Sequence, residues 1–305
     1  MVAALALQAD ISDVLLLAPP VILAVLYARR VRTLRSSTHP VPGWRQACFY
    51  GGLVTIAAAL TALGSASEEL LYVHMIEHLM LGDIASLLLV LGLTGPLLAP
   101  VLKIRFFDRL RVLTHPLLAF PLWAVDLYVW HLPFLYQAAL RHSGVHALQH
   151  IMFLTLGVNM WMCVLGPLPQ PAWFGNLAKL IYLVAVRLTG TILGNVFLWS
   201  GTVFYPFYRA GDAHFHISAI ADQNLAGAIM MVEESFLTLG LLCWLFLRVA
   251  REGEERQELL DYAHAQGLEL SDQRAARAVS AGRGAELRRR LESRAGAGEQ
   301  APPLT

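Results

Sequence analysis

His74 and His78 stand four residues apart with Glu77 between them, in the stretch Leu71-Tyr72-Val73-His74-Met75-Ile76-Glu77-His78-Leu79-Met80-Leu81-Gly82-Asp83. On a helix that spacing puts both imidazoles on one face, roughly 6 Å apart along the axis. His146 and His150 repeat the i, i+4 pairing. Neutral imidazoles are ligands for copper, zinc, iron or nickel. A single histidine in an apolar helix is ordinarily a hydrogen-bonding bundle residue. Two such pairs, with His131 and Asp222 placed at the same level by the topology below, point instead to a metal. The expected ligands are His74, His78, His131, His146, His150 and Asp222.

Other chemistries share these residues. His74-Met75-Ile76-Glu77-His78 spells the H-x-x-E-H pattern of zinc peptidases, in which the glutamate is a general base. A membrane zinc hydrolase acting on lipid would use Glu77 or Asp222 to activate a metal-bound water. A bis-histidine haem would set His131 opposite one of the pairs. Met75, Met80, Met152, Met230 and Met231 offer soft sulfur for copper(I), but a methionine in an apolar helix is usually core. From the residues alone the metal stays open.

The elements that must carry these residues are apolar. Of 305 residues 56% are hydrophobic and 15% charged, with mean hydropathy +0.54; a soluble chain carries about a quarter charged. The composition predicts an all-α, polytopic membrane protein in the bilayer, with no nucleic-acid partner. Cys48, Cys163 and Cys243 are isolated, odd in number and without a C-x-x-C spacing. Met1 to Gln8 lacks the basic start of a cleavable signal.

Seven apolar runs lie near 12–28, 46–64, 71–98, 116–140, 145–166, 177–200 and 219–248, predicting a seven-helix transmembrane bundle over residues 1–250. Pro19-Pro20 should kink the first. Odd connections hold Arg29, Arg30, Arg32, Arg35, Arg45, Lys103, Arg105, Arg109, Arg111 and Lys179; even ones hold Arg141 and Arg209. Ten against two predicts a cytoplasmic C-terminus and an external N-terminus. His74, His78, His131, His142, His146, His150, His214 and His216 then gather at the outer face. Asp222 and Gln223 begin the last run at that level, and Ala226-Gly227 permit close helix approach.

A deeper polar layer holds Asp83, Asp126, Arg187, Glu233 and Glu234, where Arg187 should pair with an acid. Residues 251–305 carry nine arginines and ten acids. They read as a charged cytoplasmic tail, partly helical and then disordered.

Several blocks together resemble the cytochrome c oxidase assembly factor (CtaG) family of seven-span bacterial membrane proteins. They are His74-Met75-Ile76-Glu77-His78 with Leu88 to Leu98, Trp130-His131-Leu132-Pro133-Phe134-Leu135-Tyr136, Val145-His146 with His150, Tyr205-Pro206-Phe207-Tyr208, and Ala221-Asp222-Gln223-Asn224-Leu225-Ala226-Gly227-Ala228-Ile229-Met230. The family often has tryptophan after that last methionine and a paired aromatic in the fifth span, where this chain has Met231 and Trp161-Met162. The resemblance implies a non-enzymatic role in the bacterial plasma membrane. Its implied task is to bind copper (zinc being the alternative) and deliver it to haem-copper oxidase subunits, with an extracytoplasmic copper chaperone as a further partner.

Overall fold

The computed structural model describes residues 2–280 and 282–296. Among them the regular structure is all helical, and the chain divides into two compact units, Met1–Thr238 and Leu239–Thr305.

In the first unit α1 (Val2–Leu34) runs as one helix through Pro19-Pro20. It is followed by α2 (Gly43–Ala62) and the short α3 (Gly64–Glu69). Next comes a helical run from Leu71 to Gly92: α4 (Leu71–Leu79), a π-helical turn (Met80–Ala85) and α5 (Ser86–Gly92). The π turn admits an extra residue per turn, a device that re-aims side chains at functional places. It contains Asp83.

The run expected to reach residue 98 stops at Gly92. Leu93 and Thr94 are extended, and α6 (Gly95–Leu102) starts afresh with Pro96 in its first turn, capped by the Thr94 hydroxyl, which accepts from Leu97 N at 3.4 Å. Proline lacks the N–H that a continuing helix needs, and it suits the first turn of a new one. Arg45 completes the break by donating to the carbonyls of Leu91 and Leu93 at 2.9 and 2.8 Å.

After α7 (Arg105–Leu110) and a 3-10 turn, α8 (Pro116–Trp130) is similarly cut short of the expected residue 140. His131 sits at φ −89°, ψ 0°, Leu132 is extended, and Pro133 opens α9 (Pro133–Arg141). Proline disfavours the helical conformation in the residue before it, here Leu132, and so ends α8. α10 (Ser143–Leu165) and α11 (Asn176–Trp199) are unbroken. A loop with a 3-10 turn at Pro206–Tyr208 and the short α12 (Arg209–His214) lead into α13 (Ala219–Ala265).

Two apolar clusters hold this unit. One joins α1, α2, the π turn, α5 and α6 through residues such as Tyr27, Phe49, Leu53, Ala85 and Leu97. The other joins α4, α9, α11 and α13 with the 205–208 loop through Met75, Tyr136, Phe197, Tyr208 and Met230. Glycine permits two close crossings. A side chain at Gly157 of α10 would collide with the Gly82 carbonyl oxygen, and one at Gly227 of α13 would lie 2.6 Å from the Gly194 oxygen of α11. The first crossing brings α10 hard against the segment that carries His74 and His78.

Among the described residues four helical segments are long and apolar enough to cross a membrane: Leu71–Gly92, Ser143–Leu165, Asn176–Trp199 and Ala219–Ala265. A fifth is possible by composition if Arg105–Thr114 and Pro116–Trp130, bent by 81°, count together. On α11 the residues Leu177, Ile181, Leu188, Ile192 and Val196 form an exposed apolar stripe, a surface suited to lipid rather than water.

In the second unit α14 (Asp272–Ser280) and α15 (Gly284–Gly296) pack with the end of α13 around Leu259, Ala263, Val279, Leu287 and Leu291. Arg256 pairs with Asp272 at 2.8 Å. These helices lie in the stretch read from sequence as a partly helical charged tail, and with the end of α13 they share a small apolar core. The Gly/Ala/Pro end expected to be disordered, from residue 297, lies outside the described residues.

Candidate metal centre

The start of α4 is set by a side chain 150 residues away. Asp222, 1% exposed at the start of α13, accepts hydrogen bonds from Leu71 N at 2.7 Å and Tyr72 N at 2.9 Å. The first N–H groups of a helix have no partner within it, and a carboxylate there also meets the positive end of the helix dipole. Asp222 thus fixes where the helix begins and how His74 and His78 are rotated.

His74 is 1% exposed, and its Nδ1 lies 3.2 Å from the Ser67 carbonyl oxygen. A carbonyl only accepts, so Nδ1 carries the proton and Nε2 is left with a free lone pair. The His74 ring stands 4.3 Å from His78 and 5.1 Å from His146, centre to centre; His78 stands 5.3 Å from His150, and His146 4.1 Å from His150. Glu77, 4% exposed, places Oε1 3.5 Å from His150 Nε2. Among the described residues two sets of three ligand atoms lie within 4.8 Å of one another: His74, His78 and His146, and Glu77, His146 and His150.

The atoms that would face an ion are those without a partner. His74 Nε2, both ring nitrogens of His78, His146 Nε2, His150 Nε2 and Glu77 Oε2 are buried without a hydrogen-bond partner. Of the two His78 nitrogens one can serve as a ligand while the other carries the proton. Buried polar atoms are normally satisfied, because each orphan costs about 1–3 kcal/mol. Six in one place fit a metal, and the imidazole-carboxylate set suits copper or zinc.

Residues 25–252 match the family model of the cytochrome c oxidase caa3 assembly factor. The chain belongs to this family. It is also 27% identical over 278 residues to uncharacterized proteins of Mycobacterium bovis and Mycobacterium tuberculosis, covering 82% of this chain and 42% of each relative. An uncharacterized Mycobacterium leprae protein is 24% identical over 286 residues, with 85% of this chain and 42% of that protein covered. The chain therefore spans less than half the length of these curated relatives. No solved structure matches it.

Of the six ligands expected from sequence, this member of the family brings four together: His74, His78, His146 and His150. His131 is set apart at the break after α8. Its Nδ1 donates to the Leu127 carbonyl at 2.6 Å, and its ring lies against Phe153, Phe197 and Tyr136 at 6.0, 5.8 and 6.1 Å. It faces His78 across a cavity of about 40 Å³, lined also by Met75, Asp83, Met230 and Glu234, and its own Nε2 is likewise buried without a hydrogen-bond partner. Asp222 has both oxygens committed to the α4 backbone. Its place at the start of its helix was read from sequence; its partner, the start of another helix, could not be seen without the fold.

Glu77 is the ligand-set member that the sequence reading left beside the pair rather than in it. Its place three residues after His74 was the available signal, since i and i+3 share a helix flank. Three buried tyrosines were also missed. Tyr136 stacks on Tyr205 at 4.0 Å, its hydroxyl lies 3.2 Å from that of Tyr208, and Tyr205 donates to the His131 carbonyl at 2.7 Å. The Tyr136 and Tyr208 rings lie 5.4 and 6.2 Å from His74. Burial pushes the Tyr205 and Tyr208 hydroxyls up from their ordinary range, so both stay protonated. Gln223 pins their loop to α13, accepting from Phe204 N at 2.9 Å and donating to Thr202 O at 3.0 Å.

Below the histidines, Arg187 of α11 forms a direct ion pair with Glu234 and donates to Ser235 Oγ at 2.7 Å. The pairing expected for Arg187 is present.

Proposed function

We propose that this chain is a seven-span plasma-membrane protein that binds copper at its outer face and passes it on during assembly of a haem-copper cytochrome c oxidase. Family membership supports the oxidase. The ten-to-two distribution of basic residues supports an external N-terminus and a cytoplasmic C-terminus. The observation that carries the metal reading is the pair of overlapping ligand sets, which share His146.

Sharing one ligand gives a route for transfer. An ion held by His74, His78 and His146 keeps its bond to His146 while Glu77 and His150 replace the other two. No step leaves the metal bare, which keeps the barrier to movement low. A three-ligand site also leaves a coordination position open, where a donor or acceptor protein can add its own ligand. Copper is here cargo. Asp222 and the tyrosine group act on the chain itself: the first holds α4 in rotation, the second keeps water from the His74 side.

A metallohydrolase is the reading that the position of Glu77 also favours, since a carboxylate beside a metal could take a proton from bound water. Metal content of the purified chain, measured by mass spectrometry after copper or zinc loading and dialysis, separates the two. Copper near one per chain, exchangeable with a soluble chelator and lost in His146→Ala, supports transfer. Zinc retained at one per chain against the same chelator would overturn it in favour of the hydrolase.

A further inference from the structure

Far from the histidines, α1 and α2 frame a second site. Between Asp13 and Glu68 the chain contains five arginines and no acidic residue. Two of the five are absorbed by the fold: Arg45 caps the end of α5, and Arg30 donates to the Pro96 carbonyl at 2.7 Å. Arg32 and Arg35 are exposed, and among the described residues no side-chain hydrogen bond or ion pair holds either guanidinium. They line a pocket of about 470 Å³ with Ala28, Val31, Gln46 and Tyr50. Residues 28, 31, 32 and 35 form one stripe along α1, and 46 and 50 one stripe along α2.

The pocket is rigid beneath and positive above. Tyr27 stacks on Phe49 at 3.8 Å, meets Tyr50 edge-on at 5.6 Å, and donates to the Gly92 carbonyl at 3.0 Å. Its depth follows from what flanks it. Val21, Ile22, Leu23, Val25 and Leu26, just before the arginines, are exposed apolar residues suited to hydrocarbon. Trp44, exposed beside Arg45 at 4.6 Å, is the residue type that settles at the headgroup level. Two arginines without counter-ions, between two helices at that level, form a receptor for a phosphate diester.

We propose that Arg32 and Arg35 bind the phosphate of an anionic lipid headgroup, making this a specific lipid site. The ligand is a phosphodiester monoanion. The apolar belt beneath the arginines favours one that carries acyl chains over free phosphate. This holds in whichever leaflet the site lies and does not depend on the metal.

The test is native mass spectrometry of the full chain in detergent, titrated with dioleoylphosphatidylglycerol, dioleoylphosphatidylcholine or inorganic phosphate. One phosphatidylglycerol should be retained in preference to phosphatidylcholine, and R32Q/R35Q should weaken it about 30-fold, as expected for two interfacial arginines. Millimolar inorganic phosphate should not displace it. The exposed pair substitution R105Q/R109Q is the control and should leave retention unchanged. Equal retention in R32Q/R35Q and the parent would overturn the site. Equal loss in both double variants would reduce it to general charge attraction, and displacement by inorganic phosphate would overturn the lipid assignment. A circular-dichroism melt of R32Q/R35Q matching the parent separates lost binding from lost folding.

Discussion

Replacing Asp222 by alanine distinguishes a residue that positions the metal ligands from one that binds the metal. The two N–H groups it satisfies belong to Leu71, which is buried, and Tyr72, which is partly so. Each charge-assisted bond contributes about 1.5–3 kcal/mol, and a buried N–H left unpaired costs about 1–3 kcal/mol. Water can reach the Tyr72 side in part, so a destabilisation of about 2–4 kcal/mol is expected rather than the full sum. The first turn of α4 should fray, lowering copper affinity by way of His74 while leaving the ligand atoms unchanged. Thermal unfolding in detergent measures the first effect, and the copper(II) electron paramagnetic resonance spectrum tests the second. Asp222→Ala should melt lower, bind copper more weakly, and show the parent spectrum once saturated. A variant of unchanged melting temperature whose spectrum has lost a ligand would refute the positioning role and return Asp222 to the metal.

Arg187→Leu strands Glu234 in the apolar interior and should cost about 3–5 kcal/mol, seen as reduced folded yield; Arg187→Leu with Glu234→Gln should recover most of it. Gly157→Val drives a side chain into the Gly82 carbonyl and should separate α10 from α4. Overpacking of this kind costs about 1–3 kcal/mol, and copper titration should show affinity lowered more than melting temperature. The Asp212 carboxyl, buried in α12 and hydrogen-bonded to Asp222, is pushed up to about 7, first by loss of water. Because its folded value is raised, its contribution to stability is full below the unfolded value of 3.8 and is lost as pH rises through about 7. Melting temperature should therefore fall between pH 5 and pH 8, and Asp212→Asn should flatten that slope.

What could be read from sequence was what a single helix enforces. The i, i+4 spacing fixed His74 with His78 and His146 with His150 before any packing was known. The meeting of the two pairs depended on the close crossing at Gly157 and Gly82, which composition does not announce. His131 was read as if α8 continued to residue 140, which would have carried its ring with the helix; Pro133 breaks that helix and sets His131 apart. Asp222 was placed at the right end of its helix, but a carboxylate reads alike whether it faces a metal or a helix start. The small core of the second unit was hidden because Leu259, Ala263, Val279, Leu287 and Leu291 are few and spread among many charges.

The most direct test of the central claim is the copper content of the oxidase from cells whose only copy of this protein carries alanine at positions 74, 78, 146 and 150. The variant must first be shown to reach the membrane in normal amount. The oxidase polypeptides should then be present with normal haem but depleted of copper, and added copper should restore part of the activity. Oxidase fully loaded with copper in those cells would contradict the account.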